Sequence, residues 1–553
     1  MKIINKKHIG FLFTVASLLT ACNKDFLERP PLNQVSEATF WNRAEDVSQA
    51  VNGVYSQLGG VAIHDEGATD NAHAQYPWES YATQLSAGSL TTNVGGDWDF
   101  AAIRRCNYFL ENVDRAAAVV DGTLLNRFKA EVRFLRVYFY ANLVNKYGDV
   151  PLLTQTLAID EINVPRTAKA QVVDFMLTEL EEIAPLLPER YSGGTDNQSG
   201  RITRGAALTL QARINLYEGN WAAAATAAQR VMALGYTLFT LSSENELDRL
   251  DNYAAWVDFT NETDSLNFKM GMRSYEGLFH QVNEGNAEVI LDRQYIVQVD
   301  ANLMNTFLPA GDMNGWSSVT PTQSLVDAYD HYRTGMPIVP VDRAQRAAWY
   351  SSQSPLFRNE YRNRDPRFYA TILFNGAPWN FFRDNFVFQW TPGASNMSQT
   401  GYNFRKLVDP AAFRANPVVD NHANGILMRY AEVLLTYAEA ANEANGPAAA
   451  IYDALDLIRR RAGMPVVNRS VYNSQQALRT FIRNERRVEL ALEGHRYMDI
   501  RRWRIARQVM VDIYDLNNSV AQARTWHDRF YLLPVPQSQI DLAQGVLTQN
   551  SGY

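Results

Sequence analysis

The residues of this sequence best suited to recognising a ligand are Tyr76, Trp78, Asp97, Trp98, Tyr295, Asn314 and Trp316. The aromatic members lie in stretches rich in Gly, Ser, Thr, Asn and Asp, outside any helical pattern. Large rings in polar loops are not core material by default. A flat ring can stack on the C–H face of a sugar, while neighbouring amide and carboxylate groups bond its hydroxyls. Trp98 (GGDWD) and Trp316 (MNGWSS) lead the set, since glycine and polar residues flank both. The competing role for each ring is to pack its loop onto a helical body.

Bond-breaking chemistry has no comparable signature. The eight histidines are scattered, with no H-E-x-x-H and no metal-ligand spacing. There is no G-x-S-x-G elbow and no phosphate loop. Gly311–Gly315 lacks the ligand spacing of a calcium loop. Carboxylates are abundant, but none stands out as one of a pair flanking a glycosidic bond. No catalytic residue, metal or cofactor is assigned. A surface glycoside hydrolase stays open as an alternative, as does a binder of a non-sugar nutrient such as peptide. A peptide site would favour apolar pockets and free strand edges. The net charge of −7 argues against nucleic acid as a partner.

Helices must carry these loops. Val47, Val51, Val54 and Leu58 follow a start at Ser36, and Phe128, Val132, Leu135, Phe139 and Leu143 form a second stripe. Further helices are predicted over 171–187, 203–218 and 221–234. The last two form a hairpin around Glu218-Gly219-Asn220. Leu427, Ala431, Leu434, Ala438 and Ala441 make one face of another helix, in which Ala440 and Ala444 leave room for a close neighbour. Gly446-Pro447 ends it, and a run over 448–461 completes a second hairpin. These read as degenerate tetratricopeptide-like repeats, although the W-x₂-L-G motif is nowhere intact. A block over 236–425 splits them. It is loop-rich, with a strand predicted where Phe368, Ala370, Ile372 and Phe374 alternate. The fold class is thus mostly α, a helical-repeat scaffold with a loop-rich insert containing short strands.

The segment RNERRVELALEGHRYMDIRRW (483–503) is different in kind. Eight arginines lie between Arg483 and Arg507, interleaved with Glu485, Glu489, Glu493 and Asp499. This spacing reads as a structural ion-pair network, with Glu493–Arg496 and Arg496–Asp499 able to pair along a helix face. His495, beside Gly494, reads as a capping or packing residue.

Together with RYAEVLLTYAEAANEANG (429–446) and RRRAGMP (459–465), that segment resembles the SusD/RagB family of nutrient-binding outer-membrane lipoproteins. NGVY (52–55), FLRVYFYANLVNKYGDVPLL (134–153), TPTQSLVDAY (320–329), NRDPRFYATILFNG (363–376) and LPVP (533–536) fit it too, in the right order. The likeness is weakest over 60–100 and 236–425. It implies a glycan-binding lipoprotein that delivers its ligand to a SusC-type TonB-dependent transporter. It also implies that the loop before the helix of TPTQ helps line the ligand site. Residues 1–21 combine Lys2, Lys6 and Lys7 with a short apolar run ending Leu-Thr-Ala-Cys22, which reads as a lipoprotein signal with a lipobox. The resemblance implies cleavage before Cys22 and its acylation, hence an anchor in the outer membrane with the body exposed at the cell surface. Loss of residues 1–21 removes three lysines and leaves −10. Residues 22–32 form a tether, 33–235 an N-terminal repeat region with a ligand loop at 60–100, 236–425 a ligand-binding insert, and 426–553 a C-terminal repeat. Cys106 then has no partner and reads as a small buried hydrophobe.

Overall fold

Helices form where apolar residues recur every three or four positions, and they stop where glycine allows a turn. The computed structural model describes residues 40–93, 97–191, 198–296, 299–415 and 421–553. The expected signal, Cys22, the tether and Ser36 lie outside these residues. The principal helices are α1 (Ala44–Tyr55), α2 (Ala101–Asn112), α3 (Gly122–Tyr147), α4 (Lys169–Ile183), α5 (Arg204–Glu218), α6 (Trp221–Met232), α7 (Glu262–Gly277), α8 (Tyr430–Asn445), α9 (Ala449–Arg461), α10 (Gln475–Glu489) and α11 (Arg496–Arg502). Short strands are β1 (Ala72–Ala74), β2 (Val289–Arg293), β3 (Val319–Pro321), β4 (Ile372–Leu373), β5 (Asn403–Phe404) and β6 (Gly425–Arg429). They pair antiparallel as β1–β3, β2–β6 and β4–β5.

The repeats form as expected. Asp121 caps α3 by accepting from Thr123 N and Leu124 N, and Thr203 caps α5 through Ala206 N. Gly219 closes α5 in the left-handed region at φ 77°, the conformation that costs glycine least. Helix α6 then packs on both α5 and α8. Ala224 and Ala440 meet there beside Leu216, so small side chains do set the close approach, while Ala444 is exposed. Helices adjacent in space are therefore about two hundred residues apart in sequence, and the insert leaves and re-enters the stack between them.

The insert is more ordered than a loop-rich reading suggests. It builds its own buried core of Trp256, Phe268, Tyr361, Phe368, Phe374, Trp379 and Tyr402 around α7. The strand predicted from Phe368 is instead a helix over Pro366–Thr371, with only Ile372–Leu373 extended. Asp365 caps that helix and Pro366 occupies its first turn, and these local signals override the alternation. The stretch 60–100 is also not one exposed loop. Glu66, Asp70, Asn71 and His73 are buried, because β1 threads between the insert and the C-terminal segment.

The arginine-rich segment joins the two cores. Glu489 accepts from Arg429 at 2.7 Å, from Arg367 at 2.9 Å and from Arg461. Glu485 takes Arg367 and Arg459, Glu493 takes Arg429 and Lys406, and Glu288 takes Arg429 and Arg461. The neighbouring guanidiniums hold the Glu489 carboxyl well below the usual range despite its burial. The short-range pairs expected for Arg496 do not form. Arg496 reaches instead to Asp70, with two contacts of 2.8 Å, and Glu493 turns to Arg429. Asp499 pairs with Arg486 and Arg502. His495 is buried at the start of α11 and makes no capping bond. Burial and nearby cations push its pKa well down, so it packs as a neutral ring.

Candidate functional site

The pairing of β1 with β3 carries two aromatic loops to one place. The register His73–Thr320 continues through Gln75 N donating to Ser318 O at 2.8 Å. Just beyond it, Tyr76 and Trp78 stack with ring centroids 4.9 Å apart and planes 26° apart. The Tyr76 hydroxyl lies 3.1 Å from Trp316 O and 3.0 Å from Asn396 Oδ1, and accepts from Gln75 Nε2 at 3.0 Å. Trp316 packs edge-on against Phe307, whose other neighbour is His64. Glu79 accepts from Ser318 Oγ at 3.0 Å and lies 3.4 Å from His64 Nε2. Trp78 is 76% exposed and Trp316 44% exposed, so both offer ring surface to solvent.

The backbone beneath these rings is held in a costly shape. Asn314, Ser317 and Asn396 all adopt positive φ, at 62°, 51° and 53°. For Ser317 such a conformation costs on the order of 1–3 kcal/mol, and it persists because neighbours fix it. Ser317 N donates to Pro309 O, its hydroxyl donates to Asn396 O, and Asn403 Nδ2 donates to that same hydroxyl. A Cβ at Gly315 would lie 2.2 Å from Pro309 O, so only glycine fits there. Behind the rings, burial lowers the pKa of His73 to about 4, leaving that ring neutral. The outcome is a pinned surface with the Trp78 and Trp316 rings exposed and Tyr76 half-buried, with Glu79 and Asn314 in the same two loops and Asn396 reaching it from a third.

Four of the residues expected from sequence belong to this surface: Tyr76, Trp78, Asn314 and Trp316. Three do not. Trp98 is 9% exposed, with its ring edge-on to Tyr147 at 5.0 Å and Phe100 at 5.5 Å. It packs the loop onto α3, which is the competing role, and offers no face. Asp97 pairs with Lys146 and lines a separate cleft of about 420 Å³. Tyr295 lies under Arg293 in a third place, lining a cleft of about 700 Å³ with Tyr55. Phe307, Asn396 and Glu79 were missed. Tyr76 and Asn396 are 320 positions apart, and no local pattern could have joined them.

Among the described residues no three His, Cys, Asp or Glu side chains gather as a metal site, and no helix is long and apolar enough to cross a membrane. Comparison with known proteins places the chain in a consistent neighbourhood. A sequence model described as the SusD family matches residues 276–553, and one described as starch-binding associating with outer membrane matches residues 25–216. A SusD-like protein of Formosa agariphila is 25% identical, with 99% of each chain covered. A solved SusD-like protein of Bacteroides fragilis is 28% identical with TM-score 0.77, covering 95% of this chain and all of its own. A second structure from that species, a SusD-like carbohydrate binding protein, is 26% identical with TM-score 0.73 and covers 92% of this chain and 99% of its own.

Proposed function

Since the chain belongs to the SusD family, we propose that it captures an oligo- or polysaccharide on the surface built by Tyr76, Trp78 and Trp316. The observation that carries this reading is the stacked, solvent-facing pair Tyr76–Trp78, tied through the Tyr76 hydroxyl to the Trp316 loop. Stacked rings on a pinned backbone bind flat apolar sugar faces with little ordering cost. Binding of carbohydrate by the similar Bacteroides fragilis protein supports the ligand class.

The work proposed is capture without bond cleavage. In this reading Cys22 carries the lipid that anchors the protein in the outer membrane, with its body at the cell surface, and the captured glycan passes to a SusC-type TonB-dependent transporter. The stack of helical repeats offers the extended face such a partner needs.

Calorimetry on the chain from Asn23 onward, against a panel of polysaccharides and peptide mixtures, tests the reading. Saturable binding of one glycan, no release of reducing ends, and loss of affinity in Trp78→Ala and Trp316→Ala are expected. Released reducing ends would point to a hydrolase. Binding of peptides alone, or glycan binding untouched by both substitutions, would overturn the assignment of this surface.

A further inference from the structure

A further cleft, distinct from those lined by Asp97 and by Tyr295 and of about 420 Å³, opens where α3, α5 and α11 end. Five cationic side chains line it (Arg166, Lys169, Arg501, Arg502, Arg504) against two carboxylates, Asp149 and Glu218. Much of this charge is spoken for. Lys169 pairs with Glu218 at 2.7 Å, and Arg502 pairs with Glu439 and Asp499 behind the wall. Asp149 caps the next helix by accepting from Lys169 N at 2.8 Å.

The other three guanidiniums differ. Arg501 is 4% exposed and donates to Asn145 O at 3.1 Å and to Tyr531 O, while its Nε is buried without a partner. Arg166 donates to Asp149 O, Thr548 O, Tyr147 O and Asn550 Oδ1, all uncharged oxygens. Arg504 is exposed, lies 4.3 Å over the Tyr531 ring, and holds a left-handed backbone at φ 57°. None of the three makes an ion pair within 4 Å of a carboxylate among the described residues. Of the carbonyls that Arg501 and Arg166 reach, Asn145 O and Tyr147 O belong to the last turn of α3. The roughly half charge of that helix C-terminus and the single carboxylate of Asp149, which acts on Arg166, together fall short of balancing three guanidiniums.

We propose that this cleft is an oxyanion site that takes the sulfate or carboxylate group of an acidic saccharide. Guanidinium groups match such oxyanions in geometry, and a concave, partly closed setting strengthens the contact. The volume is in the range of small-molecule sites and admits a whole acidic sugar residue, and Tyr217 and Tyr531 wall it. A bilayer is a poorer fit, because lipid surfaces are read by protruding basic side chains and Arg501 sits at the back of a recess. The saccharide half of the proposal rests on the reading of the aromatic surface above; the oxyanion half does not.

The test is calorimetric titration of the mature chain with sodium sulfate, glucuronate and glucose at fixed ionic strength, with anionic-lipid vesicles in a parallel sedimentation arm. Sulfate or glucuronate is expected to bind and glucose not. Arg504→Gln should weaken that binding about ten-fold, the scale of one charge-assisted hydrogen bond. Arg507→Gln, at an exposed arginine already paired with Asp528, should leave it unchanged, as should Trp78→Ala. Binding of sulfate with no glycan bound anywhere would keep the oxyanion site and remove the reading of the aromatic surface. Several results would overturn the proposal: no binding of either oxyanion, equal binding of glucose, equal loss in Arg507→Gln, or Arg504-dependent binding to vesicles alone.

Discussion

Replacing Glu489 by Gln tests whether the buried charge network holds the two cores together. The substitution keeps the shape and removes one negative charge from a site where Glu489 is 0% exposed and faces three guanidiniums. Each charge-assisted hydrogen bond contributes roughly 1.5–3 kcal/mol, but the glutamine oxygen still accepts one, so the three do not simply add. Breaking a buried pair by removing one partner costs about 3–5 kcal/mol, and that is the loss expected in urea unfolding at pH 7. The pH dependence gives a second readout. The folded-state pKa of Glu489 is depressed, so its contribution is present above the unfolded value near 4.3 and is lost as pH falls toward the folded one. The gap between wild type and Glu489→Gln should therefore narrow as pH drops below about 4. A loss under about 1 kcal/mol at neutral pH, or a gap that stays constant into acid, would refute the reasoning.

Other expectations follow from the same structure. Trp98→Ala should cost about 3–5 kcal/mol of stability and leave glycan affinity intact, whereas Trp78→Ala should do the reverse; thermal melts and calorimetry on both variants separate the roles. Burial pushes the Cys106 thiol up to about 12, so thiol reagents at pH 8 should label it only after denaturant is added. At Gly271 a Cβ would lie 2.4 Å from the Ala462 carbonyl carbon, so Gly271→Ala should destabilise by about 1–3 kcal/mol, measured by urea unfolding.

The repeat helices were legible because their information is local. Apolar spacing and the stops at Gly219 and Gly446 each act within a few residues. The arginine-rich segment was legible as an ion-pair network but not in its pairing, since Arg496 answers to Asp70, 426 positions away. The ring-bearing loops were harder. Trp98 and Trp316 have the same kind of neighbours in sequence, yet one is buried against Tyr147 and the other faces solvent. What separates them is the β1–β3 pairing, a contact between residues 72–74 and 319–321 that no local pattern encodes.

The short run from Asp70 to Trp78 leads two lives. Its first half is locked into the interior by Arg496 and Arg487. Its second half emerges as exposed rings. The ion pairs that hold Asp70 do not involve the Trp78 ring, which faces solvent. The stem and the tip can therefore change independently: the exposed rings at 78 and 316 can be exchanged, while Asp70 and the Tyr76 hydroxyl go on holding the frame beneath them.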